Sequence, residues 1–305
     1  MSARNCSPVK RPPRNDVLGS SVPITVADSL AWAAERLGAP SGSPRADAQL
    51  LLAHALGTGR DWLIAHADAC VDPLAGARFE SYVRRRSGGE PVAYILQTAW
   101  FYGREFVVNA AVLVPRPETE HLIDEALAHV GGARDKPPTF LDIGLGSGAI
   151  GCTLAAELPS ARVTGTEISP EALEIARENA RQLAVASRCG FLLGDLATPV
   201  RGRRFDAILA NLPYVETAQI AAAPDPVSFE PRLALDGGAD GLDLYRRLLP
   251  ELPALLEPGG LVLLEAAPAS MAALAALASD AFPGGTVSIG WDYAGHERFV
   301  RVREA

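Results

Sequence analysis

The stretch Phe140-Leu141-Asp142-Ile143-Gly144-Leu145-Gly146-Ser147-Gly148-Ala149-Ile150 decides the fold. An apolar run ends in three alternating glycines and then resumes with helical spacing, the pattern of a strand, a tight loop and a helix. Outward from it the alternation continues. Short apolar runs at 162–167, 189–193, 207–210 and 260–265 are separated by amphipathic helical stretches, which predicts a mostly parallel sheet in a doubly wound α/β fold. The last two runs, 286–289 and 298–302, are joined by a turn and predict an antiparallel hairpin at the sheet's edge.

Upstream the pattern differs. Between Thr25 and Arg86 the apolar residues recur at three and four: Leu30, Ala33, Ala34 and Leu37, then Ala48, Leu51, Leu52, Ala55 and Leu56, then Phe79, Tyr82 and Val83. Such spacing predicts short amphipathic helices, the first capped by Thr25 and Asp28, the second opened by Pro44 and closed by Gly57. Gly88, Gly89 and Pro91 then break the helix, and the β-branched, aromatic run 101–114 suggests a hairpin turning at Asn109. The chain thus divides into a disordered tail (1–23), a helical domain (24–90), a hairpin linker (91–118) and an α/β domain (119–305).

Composition limits the partners. The 305 residues carry 28 Lys+Arg against 36 Asp+Glu, a net charge of −8, which argues against binding driven by broad phosphate neutralisation. No apolar run approaches the roughly 20 residues of a membrane span, and the first residues lack the core of a secretory signal. Cys6, Cys70, Cys152 and Cys189 are widely spaced, so neither a zinc site nor a disulfide framework is expected, and the setting reads as reducing and cytoplasmic.

The glycine loop stands at the carboxyl end of the first parallel strand, where such sheets bind ligands. A GxGxG loop alone also serves as a plain turn, but its neighbours add meaning. Asp142 precedes it, and Glu167 ends the second strand about 20 residues on, where an acidic side chain can accept both ribose hydroxyls. Gly194-Asp195-Leu196 end the third strand, with Asp195 able to meet an adenine amine. This spacing fits a dinucleotide or S-adenosylmethionine. Ile150 stands where a third glycine would admit a pyrophosphate, so the loop favours a ligand without phosphates.

The fourth strand ends in Asn211-Leu212-Pro213-Tyr214. A planar NH2 conjugated to a carbonyl or an aromatic ring is a poor nucleophile. An Asn side-chain oxygen and a backbone carbonyl that accept its two N–H bonds fix the nitrogen and favour loss of conjugation as a bond to carbon forms. Tyr214 would stack on the planar group, and Pro213 holds its neighbours extended and exposes a carbonyl. Asn211, Leu212, Pro213 and Tyr214 are therefore the candidate catalytic and substrate-binding residues, and no metal is called for.

On these motifs the chain resembles the HemK/PrmC family of protein-glutamine N5-methyltransferases, which methylate the glutamine of the GGQ tripeptide in peptide chain release factors. Further blocks carry the likeness: Arg45-Ala46-Asp47-Ala48-Gln49-Leu50-Leu51, Arg85-Arg86-Ser87-Gly88-Gly89-Glu90-Pro91-Val92-Ala93-Tyr94-Ile95, and Leu113-Val114-Pro115-Arg116-Pro117-Glu118-Thr119-Glu120. The resemblance implies a Rossmann-like class I methyltransferase domain behind a helical substrate-recognition domain. It implies that Gly144, Leu145, Gly146, Ser147, Gly148 and Glu167 hold S-adenosylmethionine, that Leu196 lines the adenine pocket, and that Asn211 touches cofactor and glutamine alike. Arg116 either anchors the linker or positions substrate.

Two departures stand out. Leu212 replaces the first proline of the family's NPPY, giving the NLPY of rRNA adenine dimethylases, and Glu265-Ala266-Ala267-Pro268 replaces its E-I-G-x-x-Q. Alternatives to a release-factor glutamine are thus adenine N6, a nitrogen of a small metabolite, or a binding protein without catalysis. The acidic balance and the VPRPETE segment favour the amide. His54, His66, His121 and His129 read as structural, His296 as surface, Glu118 and Glu120 as helix-start charges, and Arg84-Arg85-Arg86 as a solvated helix end or an acidic-partner contact.

Overall fold

The computed structural model describes residues 25–38, 41–131, 136–220, 226–292 and 294–304. The expected tail lies outside the described residues. The chain divides into two compact units at Leu96/Gln97, with residues 226–229 grouping with the first.

The first unit is helical: α1 (Val26–Leu37), α2 (Pro44–Leu56), α3 (Arg60–Ala65), α4 (Pro73–Ser87) and α5 (Val92–Leu96). Thr25 caps α1 by accepting from the Asp28 N–H, Pro44 opens α2, and left-handed Gly57 ends it. Leu37, Leu51, Leu52, Leu63, Phe79 and Val83 fill the core, each contributing roughly 2 kcal/mol by burial. The helix α5 was not foreseen. Of the basic run, Arg84 and Arg85 are exposed at the end of α4 as expected, whereas Arg86 is not solvated. Arg86 is buried, donating from Nε to Asp47 Oδ2 at 2.7 Å and from Nη1 to the carbonyls of Gly89 and Glu90. Ser41 also donates to Asp47, and Arg85 pairs with Glu90. The two sequence blocks around Asp47 and Arg86 are therefore one polar cluster. Asp47→Ala leaves a buried guanidinium without its carboxylate and is expected to cost about 3 kcal/mol, read as a lowered denaturant midpoint.

The second unit opens with the hairpin β1 (Thr98–Phe101) and β2 (Arg104–Val107). Its turn is Tyr102-Gly103, both at positive φ (49° and 69°), the two-residue geometry that matches strand twist. This corrects the turn expected at Asn109, whose side chain instead accepts from the Ala111 N–H beyond the hairpin. Tyr102 is a poor residue for positive φ, so the sequence hides this turn. Glu120 holds it by accepting from the Tyr102 N–H at 2.7 Å, which is the work of that helix-start charge.

There follow α6 (Glu120–Val130), β3 (Thr139–Ile143), α7 (Ala149–Glu157), β4 (Arg162–Glu167), α8 (Pro170–Gln182), β5 (Cys189–Leu193), β6 (Phe205–Asn211), α9 (Asp243–Leu248), β7 (Leu256–Glu265), α10 (Met271–Ala281), β8 (Thr286–Trp291) and β9 (Glu297–Arg303). Among the described residues, seven strands form one sheet in the order β5-β4-β3-β6-β7-β9-β8, parallel through β7, with β9 and β8 antiparallel. Both faces are buried. Phe140, Leu209, Leu261 and Leu263 pack with α6, α7 and α8 on one side, whereas Leu141, Ile208, Val262 and Leu264 pack with α9 and α10 on the other. Alternate residues of one strand thus feed opposite layers, which is why these strands read as continuous apolar runs. No helix among the described residues is long and apolar enough to cross a membrane. Cys152 and Cys189 are free thiols. Cys70 is disulfide-bonded, which widely spaced cysteines had not suggested, and Cys6 lies outside the described residues.

Candidate active site

A cavity of about 500 Å³ opens beside the carboxyl ends of the central strands. Gly144 to Ser147 form its floor, and φ is 77°, 53° and 78° at Gly144, Gly146 and Gly148. Only glycine takes such angles without strain, and a Cβ on Gly144 would lie 2.8 Å from Leu212 Cδ2. The glycine loop and the Asn211 segment therefore pack directly together. Four of the loop's N–H groups are committed: those of Gly144 and Leu145 to the Thr166 carbonyl, that of Gly148 to the Leu145 carbonyl, and that of Gly146 to Glu167 Oε2 at 2.8 Å. Glu167 Oε1 accepts in turn from Ile168 and Ser169 N–H. A carboxylate has about four acceptor positions, so Glu167 reaches the wall rigidly held with one to spare.

Gly144, Leu145, Gly146 and Ser147 line the cavity, as do Glu167, Asp195 and Leu196. Asn211, Leu212, Pro213 and Arg116 line it too. Three anticipated residues do not. Gly148 starts α7 below the loop, and Tyr214 turns inward, its hydroxyl 3.5 Å from Glu265 Oε1. Burial and the nearby Glu265 charge raise the Tyr214 phenol well above its usual range, so it stays a neutral donor. Asp142 lies beneath the loop, 1% exposed, with Oδ2 accepting from the Gly151 N–H at 2.9 Å.

Burial pushes the Asp142 carboxyl up to about 7, the Gly151 N–H opposing and the Glu167 charge adding. Between its ordinary range and that value the folded chain holds a proton that the unfolded chain has released. Stability therefore falls as pH rises through this window. Asp142→Asn cannot ionise there, so the melting temperature of this variant should drop less than that of the parent between about pH 5.5 and pH 8.

Two residues absent from the sequence reading brace the site. Asn179 on α8 is fully buried; its Nδ2 donates to the Ser147 and Val107 carbonyls at 2.8 and 3.0 Å, and its Oδ1 accepts from the Val107 N–H at 2.7 Å. One side chain thus ties the hairpin to the glycine loop. Arg247 pairs with Asp195 at the cavity rim. Arg116 is held by Glu230, which also accepts from the Val114 N–H at 3.0 Å, so the segment before α6 is anchored while Arg116 lines the cavity.

At the end of β6, Asn211 donates from Nδ2 to Thr119 Oγ1 at 3.0 Å. Leu212 donates its N–H to the Tyr245 hydroxyl at 3.3 Å, and that hydroxyl donates to the Glu265 carbonyl. A proline at 212 would lack this N–H, so the departure from two prolines brings its own hydrogen bond. Gly241 closes the segment from behind: at φ 76° a Cβ there would stand 2.3 Å from the Tyr214 carbonyl oxygen. Glu265 is buried beside Asn211, and burial pushes its carboxyl up to about 7. The Thr119 hydroxyl, Arg298 and the Tyr214 hydroxyl oppose that rise, and Glu118 adds to it.

Comparison with known proteins agrees with this geometry. The family model for the PrmC N-terminal domain matches residues 28–96, and that for the methyltransferase small domain matches 126–224. A release factor glutamine methyltransferase from Moorella thermoacetica is 44% identical over 243 residues, covering 79% of this chain and 85% of its own. Its counterpart from Cereibacter sphaeroides is 42% identical over 282 residues, covering 92% and 99%. That from Deinococcus radiodurans is 41% identical over 287 residues, covering 92% and 99%. With helical unit, parallel sheet, glycine loop and Asn211 segment all in place, the chain belongs to the release factor glutamine methyltransferase family.

Proposed function

We propose that this chain transfers a methyl group from S-adenosylmethionine to the side-chain amide nitrogen of the glutamine in the GGQ tripeptide of a peptide chain release factor. The carrying observation is the Asn211 amide on the cavity wall, whose nitrogen is bonded to Thr119, so that its oxygen is the end available to accept an N–H. The names of the relatives support the substrate. Such a substrate belongs to the cytoplasm, and the helical unit is the part we assign to its recognition.

The cavity suits S-adenosylmethionine better than a dinucleotide. The N–H groups of Gly144, Leu145, Gly146 and Gly148 already have acceptors, which removes four of the donors that a pyrophosphate cradle would use. Glu167 and Asp195 line the wall beside Leu196, and we assign them the ribose and the adenine. When bound, the cofactor supplies an electrophilic methyl group whose carbon–sulfur bond breaks with its electrons onto sulfur.

The chain's own task is orientation. Asn211 Oδ1 and the backbone carbonyl of Leu212 or Pro213 accept the two N–H bonds of the planar amide and fix its nitrogen. Those acceptors grow stronger partners as positive charge develops there. No general base is required, since a nitrogen bearing an extra methyl group and positive charge releases its proton to water. Calorimetry with S-adenosylmethionine separates this reading from a non-catalytic binder. Saturable binding, together with a methylation that Asn211→Ala removes, is the expected result; methylation unaffected by Asn211→Ala would contradict the reading.

A further inference from the structure

We infer that Thr119 and Glu265 are positioning residues that set which end of the Asn211 amide faces the substrate. The inference rests on the glutamine-methylation reading for its kinetic readout only. The register of β6 against β7 pairs Asn211 with Glu265 at neighbouring strand ends. Thr119 lies between them and is hydrogen-bonded to both.

Thr119 ends a short 3-10 turn (Pro117–Thr119) that runs into α6 with helical φ and ψ, so its hydroxyl has no capping role and serves the cavity wall; Thr119 is 3% exposed. Glu265 departs from what stability alone would select. Its carboxylate is 1% exposed, and Oε2 has no hydrogen-bond partner among the described residues. Burying an acceptor this way is unfavourable, and a broken local rule of this kind marks a functional site.

Donor counting gives the direction of the chain. A carboxylate only accepts, and a hydroxyl has one proton. Thr119 directs that proton to Glu265, leaving only lone pairs for Asn211, so the amide must answer with Nδ2 and turn Oδ1 to the free side. Without this arrangement the two amide orientations, related by a flip, differ little in shape. One of them would present N–H to the substrate's N–H.

Three variants separate the possibilities. Thr119→Val removes the hydroxyl at nearly constant volume, Thr119→Ser restores it, and Glu265→Gln offers Thr119 a donor that reverses the chain. In the free protein, isotope-edited NMR of the Asn211 side-chain amide should show hydrogen-bonded, slowly exchanging N–H in the parent and in Thr119→Ser, and fast exchange in Thr119→Val. With a release factor as substrate, Thr119→Val and Glu265→Gln should lose on the order of 10- to 100-fold in kcat. The KM for S-adenosylmethionine should stay within about twofold, and Thr119→Ser should recover most of the loss. The double variant should be no worse than the worse single one, because both act through one amide. An unchanged Asn211 amide signal in Thr119→Val, or parental kcat in that variant, overturns the inference. A parent that shows the NMR signature yet methylates no glutamine supports the inference and sinks the substrate reading instead.

Discussion

Asn211→Ala is expected to lower kcat by about 10³-fold while leaving affinity for S-adenosylmethionine within about twofold, by analogy with the loss of one preorganised polar group at a reacting centre. The size follows from what the side chain does. It lies at the end of β6 with its nitrogen already satisfied by Thr119, so its oxygen needs no reorganisation when an N–H arrives. Alanine removes the acceptor and lets water into its place. Asn211→Asp keeps an oxygen there but turns the Thr119-facing nitrogen into a second acceptor, against a hydroxyl whose proton is directed to Glu265. That variant should be nearly as impaired. Single-turnover rates and calorimetry on the same preparations check both statements, and a tenfold or smaller fall in rate for the alanine variant would contradict them.

Asn179→Leu is expected to destabilise the second unit by about 4 kcal/mol, since buried groups left without partners cost about 1–3 kcal/mol each. The Val107 N–H, the Val107 carbonyl and the Ser147 carbonyl all lose their bonds to Asn179. Leucine fills a similar volume, so the loss is of hydrogen bonds rather than of packing. Since Ser147 sits in the glycine loop, the KM for S-adenosylmethionine should rise as well. Denaturant titration and initial rates measure the two effects, and a variant as stable as the parent would show that the buried amide is not what braces the loop.

What the sequence announced, and what it did not, divides along range of interaction. The parallel strands were legible because both of their faces are buried, so Phe140 to Ile143 and its counterparts read as unbroken apolar runs. The glycine loop and the Asn211 segment were legible because their chemistry lies in adjacent residues. The hairpin turn was not, because Tyr102 and Gly103 adopt positive φ with help from Glu120, which is far off in sequence. Arg86 looked like surface charge because its partner Asp47 lies on another helix.

The site shows the same division. Asn179, Thr119 and Glu265 each act through a hydrogen bond to a residue distant in the chain. Thr119 and Glu265 do stand inside stretches that carried signal, the VPRPETE segment and the apolar run ending at Glu265, yet there they resemble a helix cap and a strand terminus. Asp142 was expected among the cofactor-binding residues, and only its burial beneath the loop shows that it does not line the cavity.

The most direct test of the account is transfer of label from methyl-labelled S-adenosylmethionine to a peptide chain release factor, run in parallel on the same factor with its GGQ changed to GGA. The account predicts label on the GGQ protein, located by mass spectrometry to the glutamine side chain, and none on the GGA protein. Label that persists on GGA, or that resides elsewhere than the glutamine amide, would contradict it.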